Sequence, residues 1–471
     1  MSEAAAGAAQ GKPDARIDRG ALSWALFEWA RNPWVLLGTI YVFQPYLSNV
    51  VIGDPVRGQA MLAGWHTMSG VIIALTAPFL GAATDRMGRR KPLLGVATGV
   101  LALAVVAMWW ALPGDGGLPL WAIGAGIVVS GVAFVYTDVV HNAMLTRASP
   151  PGTLSHVSGL GLALGSAASV LLLVFVLFAF ALPGQMDWPL LPDAPLFGLD
   201  PAQYEPSRIV TLLCAAWLIV FSIPIFLYTA DLTTTGESFG AALKRGAGNV
   251  VRTILKLRDY RNVALFLVAR MLYADGKTAI LIFSGVYASG VMDWNLMEML
   301  AYGIVLTVFA IGGGLGAGFL DEAVGVKRAV AIEIGATVLC LIAMVSMSPT
   351  TIFFLPVEAN VAVWESPLFS TAPELAYLGF AILIAIAITA AYASSRSLMA
   401  QLAPKGMEGE VFGLYALAGS ATAWLAPALV AYFTTAYQGL RAGFASIALL
   451  LLAGFLLLLL VKPPPRDAAN A

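Results

Sequence analysis

Glu28 and Arg31 stand three residues apart inside an otherwise apolar stretch, so a helix would present both on one face. Further along, Arg270, Tyr273, Ala274 and Lys277 share a helical face, with Asp275 roughly opposite Lys277 in a regular helix, and Asp138 shares a face with His141. Each group lies in a run of apolar residues long enough to cross a bilayer. A charge at the centre of a membrane helix costs about 2.5–3.5 kcal/mol on insertion scales, so such residues are functional candidates by default. Glu28, Asp138, Asp275 and His141 can exchange protons, imidazole being the group that titrates near neutral pH. Arg31 and Lys277 offer positive charge to an anionic group. Blander readings stay open: Glu28–Arg31 as an interhelix tether, Arg270 as the structural partner of Asp275, and His141 as a packed polar residue.

Other chemistries have little to build on. The histidines are His66, His141 and His156, with no His-Glu-x-x-His pair, no Gly-x-Ser-x-Gly elbow and no P-loop pattern. Cys214 and Cys340 lie in apolar runs and read as core residues rather than metal or disulfide partners. The chain is therefore not expected to be an enzyme, and no metal or cofactor is expected. A net charge of −1 argues against nucleic acid as a partner.

The elements that must position these groups follow from composition. Of 471 residues, 59% are hydrophobic and 11% charged, and mean hydropathy is +0.83. Soluble proteins are about 25% charged, so lipid is the expected solvent. Apolar runs of helix length occur at 22–50, 61–83, 92–112, 119–143, 155–182, 208–230, 262–290, 298–320, 328–348, 374–397, 410–436 and 439–461. Backbone groups in lipid must be satisfied within the segment, which predicts helices. The expected fold is an all-α membrane protein of twelve transmembrane helices in two pseudo-symmetric six-helix bundles.

With the N-terminus inside, twenty of the 26 Lys and Arg fall on inner segments. Arg57, Arg208 and Arg441 fall on outer loops, and Arg31, Arg270 and Lys277 fall within helices. Both termini are thus expected on the cytoplasmic side, and a bacterial inner membrane is the expected location. The division reads as a cytoplasmic tail 1–21, a first bundle 22–230, a linker 231–261, a second bundle 262–461 and a tail 462–471. In the linker, Leu243, Val250, Ile254 and Leu257 recur at helical spacing among basic residues, which suits an amphipathic helix on the membrane surface. The first twenty residues lack the regions of a cleaved leader, so the first apolar segment is expected to be retained.

Two loops repeat a pattern at an offset of 237 residues. Gly81, Asp85, Arg86, Gly88, Arg89, Arg90 and Lys91 follow the second run, and Gly318, Glu322, Gly325, Lys327 and Arg328 follow the eighth. Repetition at half-chain scale predicts structural duplication. The acid is placed to accept hydrogen bonds from a neighbouring helix end, and the bases hold the loop at an anionic surface, together forming a conformational latch.

This loop resembles the signature of the major facilitator superfamily, which implies two bundles around a central cavity and alternating access. Within it, Ser23-Trp24-Ala25-Leu26-Phe27-Glu28-Trp29-Ala30-Arg31-Asn32-Pro33 is similar to the Trp-Ala-Leu-Tyr-Asp-Trp-Ala-Asn start of the vacuole-effluxer-like branch, related to the autophagy-linked vacuolar amino-acid exporters. Asn142-Ala143, the run 157–161, Tyr273-Ala274-Asp275-Gly276, Ser395-Arg396-Ser397, Pro404-Lys405-Gly406 and the run 412–416 add to the resemblance. Departures are Glu28 for Asp, Arg31 for Asn, Ala274 and Lys277 in helix seven, and Ser420 for Lys. The first, fourth, seventh and tenth helices line the cavity in this superfamily, which points the membrane charges inward.

Together these features give an expected function: a monomeric, proton-coupled secondary transporter of an amino acid or other carboxylate-bearing metabolite. Arg31, Lys277, Tyr273, Asn142 and Trp24 are the candidates to bind solute, and Glu28, Asp275, Asp138 and His141 to carry protons. A non-transporting sensor or a channel-like permease is the alternative. Gly159, Gly161 and Gly165, with Gly312 to Gly314, Gly316 and Gly318, are expected to let helices five and eight pack closely.

Overall fold

A computed structural model describes residues 17–150, 153–185, 189, 191–231, 260–358, 361–403, 414–415 and 418–462. The expected amphipathic linker, most of the N-terminal tail and all but the first residue of the C-terminal tail lie outside them, as do the side chains of Gly81, Asp85 and Arg86.

The chain is an all-α membrane protein. The first half contains α1 (Arg19–Pro33), α2 (Pro55–Met87), α3 (Lys91–Ala107), α4 (Leu120–Ala148), α5 (Leu154–Val176) and α6 (Glu205–Tyr228). The second contains α7 (Arg261–Met292), α8 (Leu296–Val324), α9 (Val326–Val345), α10 (Ala372–Leu402), α11 (Leu425–Tyr437) and α12 (Leu440–Leu460). Among the described residues, nine helices are long and apolar enough to cross a membrane. The other three depart for identifiable reasons. α1 passes into π-helical turns at Trp34–Tyr41 and Leu47–Val51, α7 carries Arg270, Asp275 and Lys277, and α11 is short where described.

Helix starts follow local chemistry. The Asp18 carboxylate accepts from Ala21 N at 2.7 Å, and Asp54 caps α2 with Pro55 in the first turn. Asn295 with Glu298, and Thr371 with Glu374, form capping boxes on α8 and α10. Between α9 and α10 a two-residue hairpin pairs Thr351–Ile352 with Leu355–Pro356.

The halves repeat each other in detail. Gly88 and Gly325, which end α2 and α8, both have positive φ (82° and 87°), a conformation in which a side chain would be strained. Lys91 Nζ donates to Phe226 O at 2.8 Å at the end of α6, and Lys327 Nζ to Leu459 O at 2.9 Å at the end of α12. Thr229 donates to Gly20 O, and Lys462 N to Asn262 Oδ1, joining the first and last helices of each half. At the opposite ends of the helices, Arg208 donates to Trp109 O at 3.1 Å and Arg441 to Met347 O at 3.2 Å. In each half, helix ends that would leave carbonyls without donors are closed by the same kind of cationic side chain.

Among the described residues, the ties at the face where α1 begins and α12 ends, the terminal face, stay within one half. Contacts between halves gather toward the opposite face. A Cβ on Gly285 of α7 would fall 1.6 Å from Ile40 O, and one on Gly70 of α2 would fall 2.5 Å from Ala423 O. Gln59 donates to Thr434 Oγ1 at 2.7 Å and to Leu440 O at 3.1 Å, and Tyr41 meets Tyr302 edge-on at 5.7 Å. The apolar core behaves the same way. One cluster runs through both halves, while Trp24, Phe27, Leu94, Val140, Met144 and Ile225 form a separate cluster in the first half near the terminal face. Among the described residues the halves meet toward the opposite face and make no hydrogen bond across the terminal one.

Candidate solute and proton site between the halves

In the first half, four expected residues meet. Arg31 Nη2 lies 2.8 Å from Glu28 Oε1 and also bonds Asp138 Oδ1, while Nε lies 3.2 Å from Glu28 Oε2. The guanidinium stacks over Phe134, and its Nη1 is buried without a partner. Arg31 is 6% exposed and already claimed by two carboxylates, whereas the Asp138 side chain is 42% exposed.

His141 is fully buried. Its Nε2 lies 2.9 Å from Trp24 O, a carbonyl that only accepts, so Nε2 carries a proton. Its Nδ1 faces Glu28 Oε1 at 3.3 Å. This contact is an ion pair only with a protonated imidazole, and among the described residues Nδ1 has no hydrogen bond. Trp24 stacks on the imidazole (4.2 Å, 9°) and donates to His141 O at 2.8 Å. It therefore fixes the ring rather than facing solvent. Asn142 is exposed on the same helix.

In the second half, Lys277 is 1% exposed, and among the described residues its ammonium has no hydrogen bond or ion pair. It lies 3.8 Å from the Tyr392 ring centre and 5.4 Å from that of Tyr273. The Tyr273 hydroxyl shares a hydrogen bond with Ser395 Oγ at 2.9 Å. Arg270 and Asp275 do not pair. Arg270 lies on the Tyr415 ring and donates to Tyr415 O at 2.6 Å, while Asp275 Oδ2 accepts from Ala426 N at 2.9 Å. Asp275 thus caps the first turn of α11, where the helix dipole favours an anion. α7 runs unbroken through Gly276, so Asp275 and Lys277 face different neighbours.

A cavity of about 330 Å³ lies between the halves, touched by Asn32 and Ser166 from the first half and by Ser284, Thr307, Thr389 and Tyr392 from the second. Its wall is mostly aliphatic, with Leu36, Ile40, Ile280, Leu306 and Ile388. Asn32 follows Arg31 in sequence and Tyr392 carries Lys277 on its ring, but Glu28, Arg31, Asp138, His141 and Lys277 do not themselves line this cavity.

The expected latch residues divide. Arg90 is buried, and its backbone N–H and that of Lys91 donate to Asp231 at 2.9 and 3.1 Å. The acid capping α3 thus comes from beyond α6. Arg89, Glu322 and Arg328 are exposed. In the second loop the acid with a buried oxygen is Asp321, one residue before Glu322. The glycine faces also differ from expectation. Gly161 and Gly165 pack on α1 beside Trp24, Glu28 and Asn32, and Gly313 packs on α10, so they tighten each half internally.

Residues 147–465 match the vacuole effluxer Atg22-like family. The chain belongs to that family. The Atg22-like match takes in α7 with Lys277 and Asp275, while Glu28 and Arg31 precede it. A relative matched nearly end to end is the MFS-type transporter YxiO of Bacillus subtilis, 24% identical over 93% of both chains. Autophagy-related protein 22 of Yarrowia lipolytica is 22% identical over 69% of this chain, and the match spans about half (53%) of that relative. Among solved structures, a D-xylose-proton symporter superposes with a TM-score of 0.63 (11% identity, 95% and 97% of the two chains). The nucleoside transporter NupG gives 0.60 (12% identity, 94% and 97%). These likenesses establish the major facilitator fold. The Atg22-like chain is a multi-pass membrane transporter, not an enzyme.

The sequence does not bring Glu333, Ser394 and Asp321 together, although all three lie on the second half's helices with buried polar atoms. Glu333, near the inner end of its apolar run, reads from sequence as an interfacial or latch residue.

Proposed function

We propose that this chain moves a small carboxylate-bearing solute, an amino acid or related metabolite, by proton-coupled alternating access. Lys277 supports this reading most strongly. A buried ammonium that meets only aromatic faces is costly unless a ligand supplies the counter-charge. Its position on Tyr392, at the edge of an aliphatic chamber, suits an anionic head with an apolar body. Tyr273 shapes the pocket, with its hydroxyl held by Ser395.

The first half supplies the proton site. Glu28, His141, Asp138 and Arg31 form one connected group in which Glu28 is the proposed proton carrier and Arg31 balances the carboxylates. Asp138 gives that group access to water. Asp275 serves as the cap that orders α11 when the halves meet. The positive-inside bias supports assigning the terminal face to the cytoplasm, which makes this conformation inward-open, with twelve crossings and the expected domain division.

The test is uptake into proteoliposomes with an imposed pH gradient, across a panel of amino acids, organic acids and sugars. Saturable, gradient-dependent accumulation of a carboxylate-bearing solute is expected. Accumulation of neutral sugars alone, or gradient-driven uptake fully retained in Glu28→Gln, would overturn the reading.

A further inference from the structure

Behind Lys277, three helices bring two more acids together. Glu333 of α9 is 3% exposed, and its Oε1 accepts from Ser394 Oγ at 3.0 Å, while Oε2 is buried with no partner among the described residues. Asp321, near the end of α8, has a buried Oδ1 with no partner and lies beside Ser394. Ser394 and Ser395 are neighbours on α10. The first bonds Glu333 and the second bonds Tyr273, whose ring faces Lys277. Among the described residues Glu333 makes no ion pair with Lys277; the charged groups whose fields reach the two are Asp321, Arg270 and Arg396.

A buried carboxylate oxygen with no donor is unfavourable as an anion and suits a protonated carboxyl. A buried ammonium with no anion is unfavourable in the converse sense. The structure carries both strains at once, with the two groups out of ion-pair contact, and one exchange of charge and proton between them relieves both. We propose that Glu333 is a proton-carrying carboxyl that neutralises Lys277 when the solute site is empty and takes up a proton when a solute carboxylate replaces it. This rests on the reading of Lys277 as the anion site.

The balance closes. The empty site holds Lys277 as ammonium and Glu333 as carboxylate. The filled site holds the ammonium, the solute carboxylate and neutral Glu333. One anion and one proton enter together, and the net charge of the site does not change. Ser394 and Asp321 supply a polar route for the proton from the end of α8. Glu333 acts on the solute only through Lys277, so it is a positioning and charge-balancing residue.

The test reads the proton directly and needs no solute. Infrared spectra of the purified protein are recorded across a pH series, following the carbonyl stretch of protonated carboxyl groups. Wild type is expected to show a component that Glu333→Gln removes. In Lys277→Met, with no ammonium to stabilise the carboxylate, that component should persist to higher pH; Lys277→Gln serves where Met does not fold. A band unchanged by Glu333→Gln, or one that titrates identically with and without Lys277, would overturn the proposal. Either result leaves the transport reading to its own uptake assay. Loss of gradient-driven uptake in wild type would instead strike that reading while leaving the infrared result intact.

Discussion

His141 Nδ1 stands 3.3 Å from Glu28 Oε1 while its Nε2 donates to the carbonyl of Trp24 at 2.9 Å. One imidazole therefore stands between a backbone acceptor in α1 and a carboxyl in the same helix, the pair at which Glu28 is proposed to exchange a proton. Replacing Glu28 with Gln keeps the shape and removes that proton's exchange. Accumulation driven by a pH gradient should fall at least about tenfold, equivalent to roughly 1.4 kcal/mol, while solute counterflow without a gradient persists. Parallel loss of both activities would mark Glu28 as structural.

Lys277 should cost stability in the empty protein even with Glu333 as its distant counter-charge, since among the described residues it makes no ion pair. Lys277→Met keeps the length of the side chain and removes an ammonium that costs on the order of 2–3 kcal/mol at membrane depth. The detergent-solubilised variant is expected to unfold at a higher temperature than wild type and to lose transport. A lower unfolding temperature would show that the ammonium is stabilised by more than the tyrosine faces.

Gly285 sets how closely α1 and α7 approach at the opposite face. A methyl group there collides with Ile40 O, a backbone atom that cannot swing away. Gly285→Ala should disfavour this conformation by about 1–3 kcal/mol, a population shift of roughly five- to 150-fold. Electron–electron distance measurements between spin labels at Arg57 and Tyr437 should show a longer component in the variant. An unchanged distribution would show that the contact does not hold the gate.

Gln59 ties α2 to α11 and α12 through Thr434 and Leu440. Gln59→Leu removes both hydrogen bonds, each worth about 0.5–1.5 kcal/mol net. A Ser48→Cys reporter, buried at this face in the closed form, should then react faster with a membrane-impermeant maleimide added from that side. Equal rates would assign closure to the apolar contacts alone.

The fold was legible because membrane insertion leaves few choices. Apolar length predicted the helices, and the repeat at 237 residues predicted duplication, seen in the matching positive φ of Gly88 and Gly325. Charges in apolar runs pointed to Glu28, Arg31, Asp138, His141 and Lys277, since each must find protein or water. Their pairing was not legible. Spacing placed Arg31 and Glu28 on one face, but only tertiary packing brings Asp138 against Arg31 and leaves Lys277 with no ion pair among the described residues. Asp231 was hidden because its capping of α3 joins residues 140 apart. The Gly285–Ile40 contact was hidden because close approach depends on how the halves dock, not on any local pattern.

Ligand-dependent thermal stabilisation tests the role of Lys277 most directly. Purified wild type and Lys277→Met are compared against amino acids and simple carboxylates, each paired with its methyl ester. Free carboxylates should stabilise wild type, their esters should not, and the variant should respond to neither. Equal stabilisation by esters and acids, or an undiminished response in Lys277→Met, would contradict a solute anion bound at this ammonium.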